Sequence, residues 1–209
     1  MKTVLCYGDS NTWGAIPGTL KRHPKDVRWT GVAANALGAE YELIEDGING
    51  RRTVWDDPHN PCRNGLDSLG YACYRSKPLD MVVIMLGTND IHHTDAAGSV
   101  LGLGRIVHHV INANTFFPGT SPVFKGKPKV LLISPVILFD GGTSERDTYF
   151  HQQSCLMAGL VEKMAAEYGI EWMDAAKYAV ASPLDGCHMD AESHGRLGLA
   201  IAEKIKTML

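Results

Sequence analysis

The stretch MVVIMLGTND, Met81–Asp90, runs through six apolar residues without interruption and then breaks at Gly87 into Thr88, Asn89 and Asp90. A strand with one wet face alternates apolar and polar residues. A run that is apolar on both faces has to be covered on both, as a parallel strand between helices is. KVLLIS, Lys129–Ser134, has the same character. Further strands are predicted at Thr3–Tyr7, Tyr41–Glu45 and Ile170–Met173, the last short. Between them lie apolar residues at helical spacing. Trp29, Val32, Ala33, Ala36 and Leu37 end at Gly38, and Met157, Leu160, Val161, Met164, Ala165 and Tyr168 end at Gly169. A last helix carries Leu197, Ile201, Ile205 and Met208, with Asp190 as N-cap, Glu192 in its first turn, and Lys204 and Lys206 in its last. Strands alternating with helices predict an α/β fold, a three-layer α/β/α sandwich around a mostly parallel five-stranded sheet. In such sheets ligands gather at the carboxyl ends of the strands.

Composition narrows the partners. The chain has 209 residues, 44% hydrophobic and 21% charged, which suits one globular domain over residues 1–209. Its 20 basic and 23 acidic residues give a net charge of −3 and no field favouring nucleic acid or a membrane. No apolar run approaches the ~20 residues that span a bilayer. MKTVLCYGDS at the start reads as a first strand rather than a secretion signal, and Cys6, Cys62, Cys73, Cys155 and Cys187 form no CxxC pair. Free thiols in a reducing, cytoplasmic compartment are the expectation. The 22 glycines point to many tight turns. Three irregular stretches, Trp55–Leu66, Asn114–Pro128 and Phe139–Thr148, are either binding loops or surface excursions.

Short polar motifs follow the strands. After the first comes Gly8-Asp9-Ser10-Asn11, where a serine hydroxyl stands clear of the sheet or caps a helix. After the second comes Gly47-Ile48-Asn49-Gly50-Arg51-Arg52, where Gly50 offers either a bare N–H or only a turn with positive φ; both arginines are expected in solvent. After the third, the Asn89 amide is an oxyanion donor or a turn former. Before the last helix, Asp185 and His188 in DGCH are spaced so that the carboxylate orients the ring as a base; the alternative is a surface histidine beside a capping aspartate. Jointly they supply what acyl transfer needs: a nucleophile, an oriented base and oxyanion donors.

With these residues in view, the chain resembles the SGNH hydrolases, or GDSL-type esterases, from Tyr7 to His188. The resemblance implies a flavodoxin-like fold, a catalytic triad of Ser10, Asp185 and His188, and an oxyanion hole of Ser10, Gly50 and Asn89. Asn11 departs from the Leu of the family motif. The segments YGDSNTWG, DVRWTG, Asp56–Pro58 and VIMLGTND are similar to the intracellular aryl esterase and acyltransferase branch. That branch implies small-molecule esters as substrates, acyl transfer to alcohols or peroxide, and a homo-oligomer. Asp9, Asn11, Trp13, Thr88 and Met189 are the expected substrate-binding residues, with Trp55 a further candidate pocket wall. A carbohydrate O-deacetylase of the same architecture and a non-catalytic binding protein remain alternatives.

No cofactor and no metal are expected. There is no GxxxxGK[ST], and Gly102-Leu103-Gly104 lacks a third glycine. The adjacent pairs His92-His93 and His108-His109 diverge on any regular element, and His188 and His194 lie six apart without an acidic cluster. Cys187 is expected to be a buried thiol.

Overall fold

β1 (Lys2–Gly8), β2 (Tyr41–Gly47), β3 (Leu79–Met85), β4 (Phe124–Ser134) and β5 (Glu171–Asp174) form one sheet in the order β2-β1-β3-β4-β5, every pairing parallel. The computed structural model describes residues 1–141 and 144–209. Gly142 and Thr143, in the third irregular stretch, lie outside the described residues. The helices among the described residues are α1 (Ser10–Trp13), α2 (Trp29–Leu37), α3 (Gly65–Ser76), α4 (Ala96–Ile111), α5 (Ala113–Phe116), α6 (Glu145–Tyr168) and α7 (Ala191–Met208). None is long and apolar enough to cross a membrane.

The two-faced strands are explained by two separate cores. Leu5 and Tyr7 of β1, Val82 and Ile84 of β3 and Leu132 of β4 point to one side, where they pack with Leu69 of α3, Leu103 and Ile106 of α4 and Val161 of α6. Val4, Cys6, Met81, Val83, Leu131 and Ile133 point to the other, against Trp29 and Ala33 of α2 and Leu197, Ile201 and Ile205 of α7. The period of two along each strand divides the layers, so the three-layer α/β/α expectation holds. The strand order reverses between β2 and β3 about β1. The crevice of such a sheet therefore opens beyond the carboxyl ends of β1 and β3.

Several boundaries differ from the sequence expectation. α3 and α4 were not anticipated. α4 carries Gly98, Gly102 and Gly104, each costing about 1 kcal/mol of helix propensity against alanine. Gly102 is there for contact, since a Cβ on it would lie 1.9 Å from Thr53 Oγ1. α6 starts at Glu145, twelve residues before Met157, because its first turns are polar and capped by Ser144, whose side chain accepts from the Asp147 N–H. The stretch Asn114–Pro128 holds most of α5 and the first residues of β4, where Phe124 pairs with Leu79 of β3 before a register shift brings Lys129 opposite Met81.

His194, expected to be a satisfied or solvated residue, is fully buried, and its Nδ1 accepts from the Trp29 N–H at 3.2 Å. It thus caps α2, whose own N-cap residue, Arg28, supplies no side-chain bond.

Candidate active site

The first wall of the site is the turn that ends β1. A Cβ on Gly8 would sit 2.0 Å from Thr12 Oγ1 and 2.8 Å from the Met85 carbonyl, so only glycine lets the chain turn this tightly between its neighbours. Asp9 then caps α1, its Oδ1 accepting from the Asn11 N–H at 2.9 Å. The single turn of α1 closes at Gly14, with φ of 87°. Ser10 is held at the head of that turn, at the switch point of the sheet.

The second wall comes from the segment before α7. Asp185 Oδ1 accepts the backbone N–H of Cys187 (3.1 Å) and of His188 (3.0 Å). Its Oδ2 accepts from the Gly18 N–H at 2.7 Å and lies 2.8 Å from His188 Nδ1. Burial opposes ionisation of this carboxyl, but the bonds from His188, Gly18 and Cys187 outweigh it and hold the group down at about 2. An ionised Asp185 makes Nδ1 the proton-bearing nitrogen of a neutral His188 ring. Nε2 is then the bare nitrogen, and it lies 2.9 Å from Ser10 Oγ. The residues at positions 10, 185 and 188 therefore form one continuous hydrogen-bonded array.

Asn11 locks the two walls together. Its Nδ2 donates to the Cys187 carbonyl at 3.1 Å, and its Oδ1 accepts from the Met189 N–H at 3.0 Å. These are the peptide groups on either side of His188. The residue that departs from the family motif thus sets the height of the histidine over the serine. A leucine could make neither bond.

The third wall is the loop after β2. Gly50 has φ of 74° and faces the cavity. Among the described residues, neither the Ser10 nor the Gly50 N–H has an intramolecular acceptor. Asn89 Nδ2 donates to the Arg51 carbonyl at 3.0 Å, and Asn89 also lines the cavity, which leaves its second amide hydrogen for a bound group. Ser10, Gly50 and Asn89 thus line one and the same cavity.

Two residues that sequence reasoning undervalued hold this loop. Arg51, expected in solvent, is 1% exposed. Its guanidinium donates to the Gly8 carbonyl (2.9 Å), the Asp46 carbonyl (2.6 Å) and Asp46 Oδ1 (2.6 Å), and it lies 4.0 Å from the Tyr7 ring centroid. Asp90, fully buried, accepts from the Thr53 N–H at 3.0 Å and from the Thr53 hydroxyl. Burial pushes its carboxyl up to about 6, against the lowering influence of these Thr53 bonds. A signal existed for both: each follows directly on a glycine or asparagine of a strand-end motif, where a charged side chain can turn back under the loop.

The cavity over Ser10 has a volume of about 250 Å³. Of the residues expected to bind substrate, Asn11, Trp13 and Thr88 line it, together with Leu20, Cys187 and His92. Asp9 and Met189 do not; both are buried beneath the site. Trp55 packs on His93 instead, with ring centroids 5.0 Å apart. His92, set aside in the sequence as half of a diverging pair, stands in the wall, its ring 4.3 Å from that of Phe150. Burial and the charges of Arg146 and Arg52 lower its pKa and favour its neutral form. Cys187, expected to be buried, is only partly so.

Burial raises the Asp9 carboxyl to about 6, against the Asn11 N–H and the nearby His188, which pull it down. The folded value lies above the unfolded value of about 3.9. From pH ~4 upward the unfolded chain ionises while the native state keeps its proton, so this group costs stability, and the cost is complete above pH ~6. Asp9→Asn keeps the capping oxygen and removes the charge. Its stability gain over the wild type should be absent near pH ~4, grow to about pH 6 and stay level beyond. Urea unfolding across that range checks it; a gain equal at every pH would assign the effect to packing.

A model of the GDSL-like lipase/acylhydrolase family matches residues 6–196. No curated protein matches the chain. Among solved structures, the native M. smegmatis aryl esterase is 33% identical over 100% of both chains, with a TM-score of 0.90. A carbohydrate acetylesterase from Sinorhizobium meliloti is also 33% identical over 100% of both chains, at 0.90. A carbohydrate acetylesterase family member from the same organism is 35% identical, covering 100% of this chain and 99% of its own, at 0.91.

Proposed function

Because this chain belongs to the GDSL-like lipase/acylhydrolase family and is an ester-hydrolysing enzyme, we propose that it cleaves small carboxylic esters at Ser10 through an acyl-enzyme. The observation that carries this reading is the Asp185–His188–Ser10 array, opening into a small cavity beside unspent backbone donors. Ser10 Oγ attacks the ester carbonyl as His188 Nε2 takes its proton. The carbonyl π pair moves onto oxygen, which the Ser10 and Gly50 N–H groups and the Asn89 amide hold. Collapse expels the alcohol, which takes the proton from His188. Water, activated by the same nitrogen, then releases the acid; an alcohol or hydrogen peroxide in its place yields a new ester or a peracid. Asp185 keeps Nδ1 protonated throughout and stabilises the imidazolium.

A cavity of about 250 Å³ suits an acetyl or similarly short acyl group better than a long chain. The leaving group is the open choice, aryl alcohol or sugar hydroxyl, since similar proteins of both descriptions share the fold. Phenyl acetate and an acetylated xylo-oligosaccharide, compared by kcat/KM, separate the two.

Asn89→Ala tests the site itself. Loss of one preorganised oxyanion donor is expected to lower kcat by about 10²–10³ with little change in KM. A variant that raises KM and leaves kcat alone would remove Asn89 from the reaction.

A further inference from the structure

We propose that the turn Asp185–His188 also binds a soft divalent cation such as Zn²⁺, which arrests ester cleavage by occupying His188 Nδ1. The arrest rests on the reading of His188 as the base; the binding does not. Asp185, Cys187 and His188 each present one ligand atom to a common space, all within 4.8 Å of one another. Cys187 Sγ lies 3.4 Å from His188 Nδ1, and Asp185 Oδ2 lies 2.8 Å from it. With zinc–nitrogen and zinc–oxygen bonds of about 2.0 Å and a zinc–sulfur bond of about 2.3 Å, a tetrahedral site has a nitrogen–sulfur edge of about 3.5 Å and a nitrogen–oxygen edge of about 3.3 Å. The two edges at His188 Nδ1 therefore need to open by only a few tenths of an ångström, and the Cys187–Asp185 edge, within 4.8 Å, has to settle at about 3.5 Å to complete one face of a tetrahedron, leaving the fourth position for water.

The surroundings suit a cation. Cys187 lines the cavity over Ser10 and a second one of about 310 Å³ beside it, so an ion can reach the thiol from solvent. The ligating carboxylate oxygen is already oriented by the Gly18 N–H, and the backbone of Cys187 is held at both ends, by Asp185 Oδ1 and by Asn11. Such outer contacts tune metal affinity. The residue types agree as well: thiolate, imidazole and carboxylate are the ligands zinc takes.

Binding involves no oxidation. The Cys187 S–H bond breaks and its proton passes to solvent. The ion replaces the proton on His188 Nδ1, and Nε2 takes one up, so the ring stays neutral with its tautomer reversed. Nε2–H then donates to Ser10 Oγ and has no lone pair for the serine proton. One proton is released for each ion bound.

Co²⁺ serves as the direct probe, in a Cys62→Ser, Cys155→Ser background. That background removes the exposed thiols, including Cys155, whose Sγ lies 3.6 Å from His151 Nε2 and would compete. A thiolate-to-cobalt charge-transfer band in the near ultraviolet is expected, lost on Cys187→Ser and on His188→Ala and retained on Ser10→Ala. In parallel, the Zn²⁺ concentration that halves phenyl acetate hydrolysis, each variant measured against its own metal-free rate, should rise at least about tenfold on Cys187→Ser. A band that survives Cys187→Ser, no band at all, or equal zinc sensitivity in both proteins overturns the proposal. Should Ser10→Ala keep its turnover, the ester chemistry at Ser10 falls, while the cobalt band still decides the cation site.

Discussion

Ser10→Ala is expected to lower the turnover of a short-chain aryl ester by on the order of 10⁴–10⁶-fold while leaving the fold intact. The size follows from the division of labour in the proposed mechanism. Without Oγ there is no acyl-enzyme, and His188 has nothing to deprotonate but water held in a poorer position. What survives is the contribution of the donors at Gly50 and Asn89, which still polarise a bound carbonyl. The fold is spared because the Ser10 side chain makes one bond, to His188 Nε2, at the cavity wall. Steady-state rates on phenyl acetate with matched circular dichroism spectra check both halves. A residual rate within tenfold of the wild type would remove Ser10 as nucleophile.

Arg51→Met is expected to cost about 3–5 kcal/mol of stability, the largest loss of any single substitution considered. A buried ion pair adds little over apolar packing, but breaking one strands its partner. Here the groups that lose the guanidinium are the Asp46 carboxylate, the Asp46 carbonyl and the Gly8 carbonyl, the last still accepting from the Ile48 N–H at 3.2 Å. Arg75 also reaches Asp46, but its side chain is 67% exposed, and water weakens its substitute role. Urea unfolding measures the loss as a fall in midpoint, and a change under about 1 kcal/mol would show that Arg51 is not what joins these groups. Activity should fall as well in the surviving folded fraction, since Gly50 is the neighbour of Arg51.

The layers of this fold were legible because they are written in periodicity. Strands apolar on both faces require helices on both sides, and the two cores above and below β3 meet that requirement. The site blocks were legible because each sits directly beyond a strand or before a helix, where the chain has to turn. α4 was not, because it carries three glycines, of which Gly102 answers to close contact with the Thr53 loop rather than to helix propensity. Arg51 was misplaced for a related reason. Its charge predicts solvent, and only the convergence of β1, β2 and an aromatic ring makes a dry position tolerable. Asn11 was expected to bind substrate; it lines the cavity and also bonds to each side of a histidine far along the chain, which no local pattern reveals.

The Asn11 bonds have a consequence for the order in which the protein matures. They join positions separated by 176 and 178 residues. During synthesis the turn at Ser10 therefore leaves the ribosome well before the segment that carries His188. On the proposed mechanism, a nascent chain caught between the two carries a serine without its base. By the same mechanism, competence to attack esters waits until the segment around His188 docks on Asn11.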